Sequence, residues 1–198
     1  MAVAVLPNVF LALRPDAPSC ERLRAVSERL EAWGLPGTWF HADDFHVTVL
    51  FLGAVERREL DLLPQAVDLV ASSLRRPRLT FAGLGAVGGR TEPGRVYAAL
   101  DDADGLCRDL HDDLCAATGE AVDRDFRPHI TICKPHAMTP RERAALPGSR
   151  SWPQLLEAHG QADWGACEVT DLVLYQSQME RRPRYRVLAS WPVGLTSA

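Results

Sequence analysis

Two segments of the chain repeat one arrangement, His46-Val47-Thr48-Val49 and His129-Ile130-Thr131-Ile132. Each sets a histidine and a threonine two apart in an apolar, β-branched run, and on a strand residues two apart share a face. An imidazole and a hydroxyl then stand side by side, twice over. Brought together, the two pairs supply an acid, a base and two neutral hydrogen-bond donors, which is what splitting a phosphodiester without a metal requires. Val47, Val49 and Phe51 in the first run, and Ile130 and Ile132 in the second, are expected to face the opposite way, into a core. By the same alternation Cys133 falls on the side of His129 and Thr131, where it is read as packing rather than as a nucleophile.

Other groups invite competing readings. Gly83-Leu84-Gly85-Ala86-Val87-Gly88 fits the G-x-G-x-x-G fingerprint, but Gly89-Arg90-Thr91-Glu92-Pro93-Gly94 follows where a pyrophosphate-binding helix would have to start. No dinucleotide site is expected there. His41-Ala42-Asp43-Asp44-Phe45-His46 holds four groups able to ligate a divalent cation. However, His41 and His46 fall on opposite faces of a continuous strand, and Asp43-Asp44 reads as a polar turn, so this metal reading is the weaker rival. His111, His136 and His159 have no partners at catalytic spacing and are expected in solvent-facing or capping roles. The sequence contains no G-x-S-x-G elbow and no P-loop.

The elements that must position these groups follow from periodicity. Strands are expected over 8–13, around His46 up to Gly53, over 78–87 and 95–100 about a Gly-rich turn, around His129, and over 167–176 and 185–191. Helices are expected over 19–33, over 59–74 until Pro77, and over 104–117. The stretch 138–160 is interrupted by Pro, Arg and Gly, with short helical pieces, and reads as a mobile loop or cover. This order predicts an α+β fold with largely antiparallel pairing, and each histidine strand follows a helix, which hints at a duplicated half. With 198 residues, 46% hydrophobic and 24% charged, the chain suits one compact domain over 1–198.

Charge and cysteines narrow the function. A net charge of −4 excludes a protein that coats nucleic acid, so any RNA contact is expected to be local. The arginine clusters Arg75-Arg76-Pro77-Arg78 and Arg181-Arg182-Pro183-Arg184-Tyr185-Arg186 read as solvated charge beside turns unless they rim the histidine cleft. Five cysteines without a C-x-x-C pair suggest neither a disulfide framework nor a zinc knuckle. The apolar start lacks a basic region and is broken by Pro7 and Asn8, so neither a signal peptide nor a membrane span is expected and the protein is read as cytoplasmic.

These residues resemble the two-histidine phosphoesterases, and within them the bacterial and archaeal RNA 2′,3′-cyclic phosphodiesterases, also called 2′-5′ RNA ligases. The resemblance runs through Val9-Phe10-Leu11-Ala12-Leu13, His46-Val47-Thr48 into Phe51-Leu52-Gly53, Phe126-Arg127-Pro128-His129-Ile130-Thr131, and Leu174-Tyr175-Gln176-Ser177 followed by Tyr185-Arg186-Val187-Leu188. It departs at Lys134, where many relatives carry an arginine; lysine keeps the charge but loses the bidentate fork. The resemblance implies a bilobal fold, two pseudo-symmetric lobes of mainly antiparallel strands flanked by helices around a central cleft, with one His/Thr pair from each lobe. It implies hydrolysis of an RNA terminal 2′,3′-cyclic phosphate to a 2′-phosphate, and reversible 2′-5′ ligation of tRNA halves. His46 and His129 are then the catalytic pair, and Thr48, Thr131 and Lys134 bind the substrate phosphate. His129 is assigned as the base that activates water and His46 as the acid for the O3′ leaving group. No metal, cofactor or obligate protein partner is expected of what is read as a monomer. Two alternatives stay open at this level: an RNA-end-binding module without turnover, and a phosphodiesterase for 2′-5′ oligonucleotides or small cyclic nucleotides.

Overall fold

In the computed structural model of the chain, residues 5–146, 150–178 and 180–194 are described, without the side chain of Arg143. Parts of the apolar start, of the 138–160 stretch and of the 179–183 connection (residues 1–4, 147–149 and Met179) therefore lie outside the described residues.

After β1 (Val5–Pro15), Asp16 starts α1 (Ala17–Glu31) by accepting the Ser19 N–H at 2.8 Å, and a proline in the first turn forfeits no intrahelical bond. β2 (Gly37–Trp39), a 3-10 turn at Ala42–Asp44 and β3 (Val47–Glu56) follow. The Glu56 N–H donates to the Glu59 carboxylate at 3.1 Å and opens α2 (Arg57–Ser73). β4 (Leu79–Gly88) and β5 (Pro93–Asp102) make a hairpin, and the Asp102 carboxylate then caps α3 (Leu106–Thr118) by accepting the N–H groups of Cys107 and Arg108 at 3.2 and 3.0 Å. β6 (His129–Pro135), α4 (Pro140–Ala145), α5 (Trp152–His159), β7 (Asp163–Cys167), β8 (Val169–Ser177) and β9 (Tyr185–Pro192) complete the order. No described helix is long and apolar enough to cross a membrane.

The strands form two antiparallel sheets, ordered β3-β1-β8-β9 and β2-β6-β5-β4-β7. The orders correspond: β3 to β6, β1 to β5, β8 to β4 and β9 to β7, with β2 added outside β6. Each motif strand is thus the partner of the strand that precedes it across a helix. The lobes are not successive halves of the chain, because β8 and β9 return to the sheet begun by β1 and β3. Helices α2 and α3 pack on the first sheet and α1 and α5 on the second, so each sheet keeps its other face for the cleft. The fold is the α+β, two-lobed arrangement expected. The stretch read as a mobile loop is different from that expectation: α5 buries Trp152, Leu155 and Leu156 and belongs to the core.

Both motif strands break step at the same place. Ala12 pairs with Thr48 and Leu11 with Leu50, so Val49 is an extra residue; Tyr97 pairs with Thr131 and Val96 with Cys133, so Ile132 is another. Each is a β-bulge, which resets the alternation beyond it. Leu50 and Cys133 turn into the core at 5% and 0% exposure, and Phe51 comes out at 71%. Strict alternation had placed Phe51 inside and Cys133 on the cleft side; the bulges reverse both.

The turn before β3 is tied to the start of β9 at Asp44. Its buried carboxylate accepts the Arg184 N–H at 2.7 Å and faces the Arg184 guanidinium at 3.9 Å, and the guanidinium lies over the Phe40 ring at 4.9 Å. With side chains only 2% and 12% exposed, this pair cannot fall back on water. Asp44→Ala leaves Arg184 unpaired inside the protein and is expected to cost about 3–5 kcal/mol in chemical denaturation. Glu21→Ala, which removes an exposed partner of Arg24, is expected to cost less than about 1 kcal/mol in the same measurement.

Candidate active site

The 3-10 turn delivers His46 to the head of β3 with its Nδ1 donating to the Asp44 carbonyl at 2.8 Å. At the head of β6, His129 repeats this, with Nδ1 donating to the Arg127 carbonyl at 2.8 Å. A carbonyl only accepts, so both rings carry hydrogen on Nδ1 and leave Nε2 as the atom free to exchange a proton. β3 and β6 approach each other across the lobe boundary. The half-buried Thr48 and Thr131 follow their histidines on the same faces, and the second bulge sets the exposed Lys134 beyond Thr131 as the first sets Phe51 beyond Thr48.

The two imidazoles sit in different surroundings. His46 lies among aromatic rings, with Tyr185 edge-on at 4.6 Å, Phe10 at 5.0 Å and Tyr175 at 6.1 Å between centroids. Burial pushes its pKa down to about 4; the bond to the Asp44 carbonyl opposes this, and the neighbouring His129 adds to it. Without a ligand His46 is therefore neutral at pH 7. His129 leans on Tyr97, 4.7 Å away. Tyr97 can lie there because its ring covers Gly85, where any Cβ would collide with it. Gly83, at φ +87°, meets the backbone of His159 and Gly160, which a Cβ would approach to 2.6 Å. The Gly-x-Gly pattern thus seats Tyr97 and α5 and is consistent with the rejection of a dinucleotide site.

Phe10, Ala12, Val173 and Tyr175, with Tyr185 against them, form a small cluster separate from the main core, and it is the floor beside His46. The Tyr175 hydroxyl accepts from Arg14 Nε at 3.2 Å, and Phe51 stands 5.8 Å from Phe10. Sequence reasoning placed Phe51 in the core and gave Phe10, Tyr175 and Tyr185 no individual role. The available signal was alternation on β8, which puts Tyr175 on the face opposite the core residues Leu172 and Leu174 once its pairing with β1, regular from Asp171 to Gln176, is known.

The rival metal ligands do not converge. His41 accepts the Asp43 N–H at 3.3 Å at the surface, the Asp44 carboxylate is committed to Arg184, and His46 turns Nδ1 to a carbonyl. Among the described residues no group of three or more His, Cys, Asp or Glu is arranged to hold a metal ion. In the densest arginine cluster, Arg184 is structural while Arg181, Arg182 and Arg186 are exposed. His136 is exposed and bonded to Thr38, and His159 packs near Trp33, but His111 is only 3% exposed, which rules out a solvent-facing role for it.

This geometry is accompanied by clear similarities. The RNA 2′,3′-cyclic phosphodiesterase of Geobacillus stearothermophilus is 34% identical over 165 residues, which cover 79% of this chain and 48% of that relative, so the chain spans about half that relative's length. The protein of the same name from Aeropyrum pernix is 26% identical over 179 residues, covering 84% of this chain and 92% of the relative. A solved structure from Thermus thermophilus superposes with a TM-score of 0.72 at 20% identity, over 94% of this chain and 97% of that one, a likeness of fold. The model of the 2′-5′ RNA ligase superfamily matches residues 9–177, and this two-lobed chain with its paired histidines belongs to that superfamily.

Proposed function

We propose that this chain hydrolyses the 2′,3′-cyclic phosphate at the end of an RNA to a 2′-phosphate, with His46 and His129 as the proton-transfer pair. The observation that carries the reading is the mirrored imidazole geometry, in which each Nδ1 is held by a carbonyl and each Nε2 is free beside a threonine. The names of the relatives support the substrate class.

In the reaction, water attacks phosphorus in line with the P–O3′ bond, which breaks. One imidazole takes the water proton and the other protonates O3′ as it leaves, each worth about 10²–10⁴ in rate. Thr48 and Thr131 donate to the non-bridging oxygens as charge builds on them, and the Lys134 ammonium adds a positive charge. Phe51, the exposed ring beyond Thr48, stacks on the terminal base, which makes binding tolerant of sequence. With a ribose 5′-hydroxyl replacing water, the same steps join two ends through a 2′-5′ bond. One bilobal domain over 1–198, acting as a cytoplasmic monomer on RNA ends such as tRNA halves, is sufficient for this chemistry and takes no metal or cofactor.

The assignment of His46 as the acid needs one further condition. Burial keeps His46 neutral, so the bound phosphodiester must supply the negative charge that restores its proton.

Three outcomes are expected. In excess chelator, wild-type protein converts a short RNA 2′,3′-cyclic phosphate to the 2′-phosphate, while His46→Ala and His129→Ala each lose about 10²–10⁴ in kcat/KM; turnover only after metal is restored overturns the mechanism. By NMR, His46 titrates near pH 4 in the free protein, and saturation with a 2′-nucleotide raises its midpoint. An unmoved midpoint transfers the acid role to His129. Phe51→Ala raises KM about tenfold and leaves kcat nearly unchanged, as loss of one stacked base requires.

A further inference from the structure

His111 lies outside the proposed catalytic groups, buried in α3, yet it touches the first motif strand and the segment that leads into the second. Its Nδ1 donates to the Val49 carbonyl at 2.8 Å and its Nε2 accepts the Asp123 N–H at 2.9 Å. Phe126 stacks on the ring, with 4.6 Å between centroids and 1° between planes. A carbonyl only accepts and an amide N–H only donates, so the neutral ring with hydrogen on Nδ1 is the one form that makes both bonds.

Both partners matter to the cleft. Val49 is the bulge residue of β3, whose carbonyl has lost its place in the ladder and needs another donor. At the corresponding bulge of β6, the Ile132 carbonyl receives the Phe40 backbone N–H at 2.9 Å. One lobe satisfies its bulge with backbone; the other uses the imidazole of His111. Asp123 and Phe126 lie in the segment that leads into Arg127, whose carbonyl orients His129. Arg108, one turn earlier on α3, donates to the Phe126 carbonyl and reinforces the same anchor.

We propose that His111 is a positioning residue that holds the two His/Thr pairs in register with each other, through the bulge after Thr48 on one side and the 123–127 segment on the other. This rests on reading the cleft as a phosphodiesterase site. It also predicts a graded dependence on the two bonds, separable from packing.

The test compares steady-state hydrolysis of a short RNA 2′,3′-cyclic phosphate, together with thermal unfolding, for wild type, His111→Phe, His111→Gln and His111→Asn. Phenylalanine keeps the volume and the stack but makes neither bond, and it is expected to lower kcat about 10–10²-fold with KM within about twofold, as a displaced catalytic group does. Glutamine, whose amide donates and accepts, is expected to recover kcat to within about threefold of wild type. Asparagine is one methylene shorter and spans only one partner, so its kcat is expected to fall below that of glutamine. A folded His111→Phe with wild-type kcat overturns the proposal, as does equal impairment by phenylalanine and glutamine. Should His111→Phe fail to fold, equal kcat for glutamine and asparagine overturns it instead. A wild-type protein that forms no product defeats the phosphodiesterase reading itself, which the variants leave untouched.

Discussion

An extra residue after Thr48, and another after Thr131, leaves each motif strand one peptide out of step with its neighbour, and the cleft is built around that misfit. Before each bulge the histidine and threonine share a face. Beyond it the alternation resets, so Leu50 and Cys133 fill the core while Phe51 and Lys134 stand out past the threonines. A regular strand would have buried Phe51 and exposed Cys133. The carbonyl of each bulge residue then needs a donor, and the two lobes supply it differently: the His111 imidazole for Val49, and for Ile132 the Phe40 N–H, in register with the β2–β6 pairing.

The pseudo-symmetry stops at the side chains. His46 sits in an aromatic enclosure of Phe10, Tyr175 and Tyr185, whereas His129 rests on the single ring of Tyr97 over Gly85. The enclosure desolvates His46 and makes its charged form expensive without a nearby anion. In the proposed reaction this couples protonation of the leaving group to occupancy by an anionic substrate. In that proposed reaction, Phe51 beyond one threonine serves stacking and the Lys134 ammonium beyond the other serves charge, so the two corresponding sheets serve the two unlike ends of a nucleotide.

The enclosure depends on the end of the chain. β8 and β9 cross back to the first sheet and contribute Tyr175 and Tyr185, and the contact of Asp44 with Arg184 fixes where that hairpin meets the motif turn. One residue serves twice, since the Asp44 carboxylate ties down Arg184 while its carbonyl holds the His46 ring. Asp44 was a rival metal ligand by composition; its burial against a guanidinium commits it elsewhere.

The amino-acid sequence by itself determined the paired H-x-T strands, the succession of seven of the nine described strands and of the three long helices, the largely antiparallel class and the failure of the G-x-G-x-x-G match, because each rests on local periodicity or on residues adjacent in the chain, whereas the short β2 and β7 carry no such pattern. Tertiary structure alone decided the rest. The bulges depend on register with β1 and β5, which no single strand encodes, so Phe51 and Cys133 were assigned to the wrong faces. The place of α5 in the core was hidden because 138–160 lacks a long periodic run, and its short helical piece gains its order by burying Trp152, Leu155 and Leu156 against a distant sheet. His111 looked idle because its partners, Val49 and Asp123, lie 62 and 12 residues away, and only folding brings a strand carbonyl and a loop N–H to opposite sides of one ring.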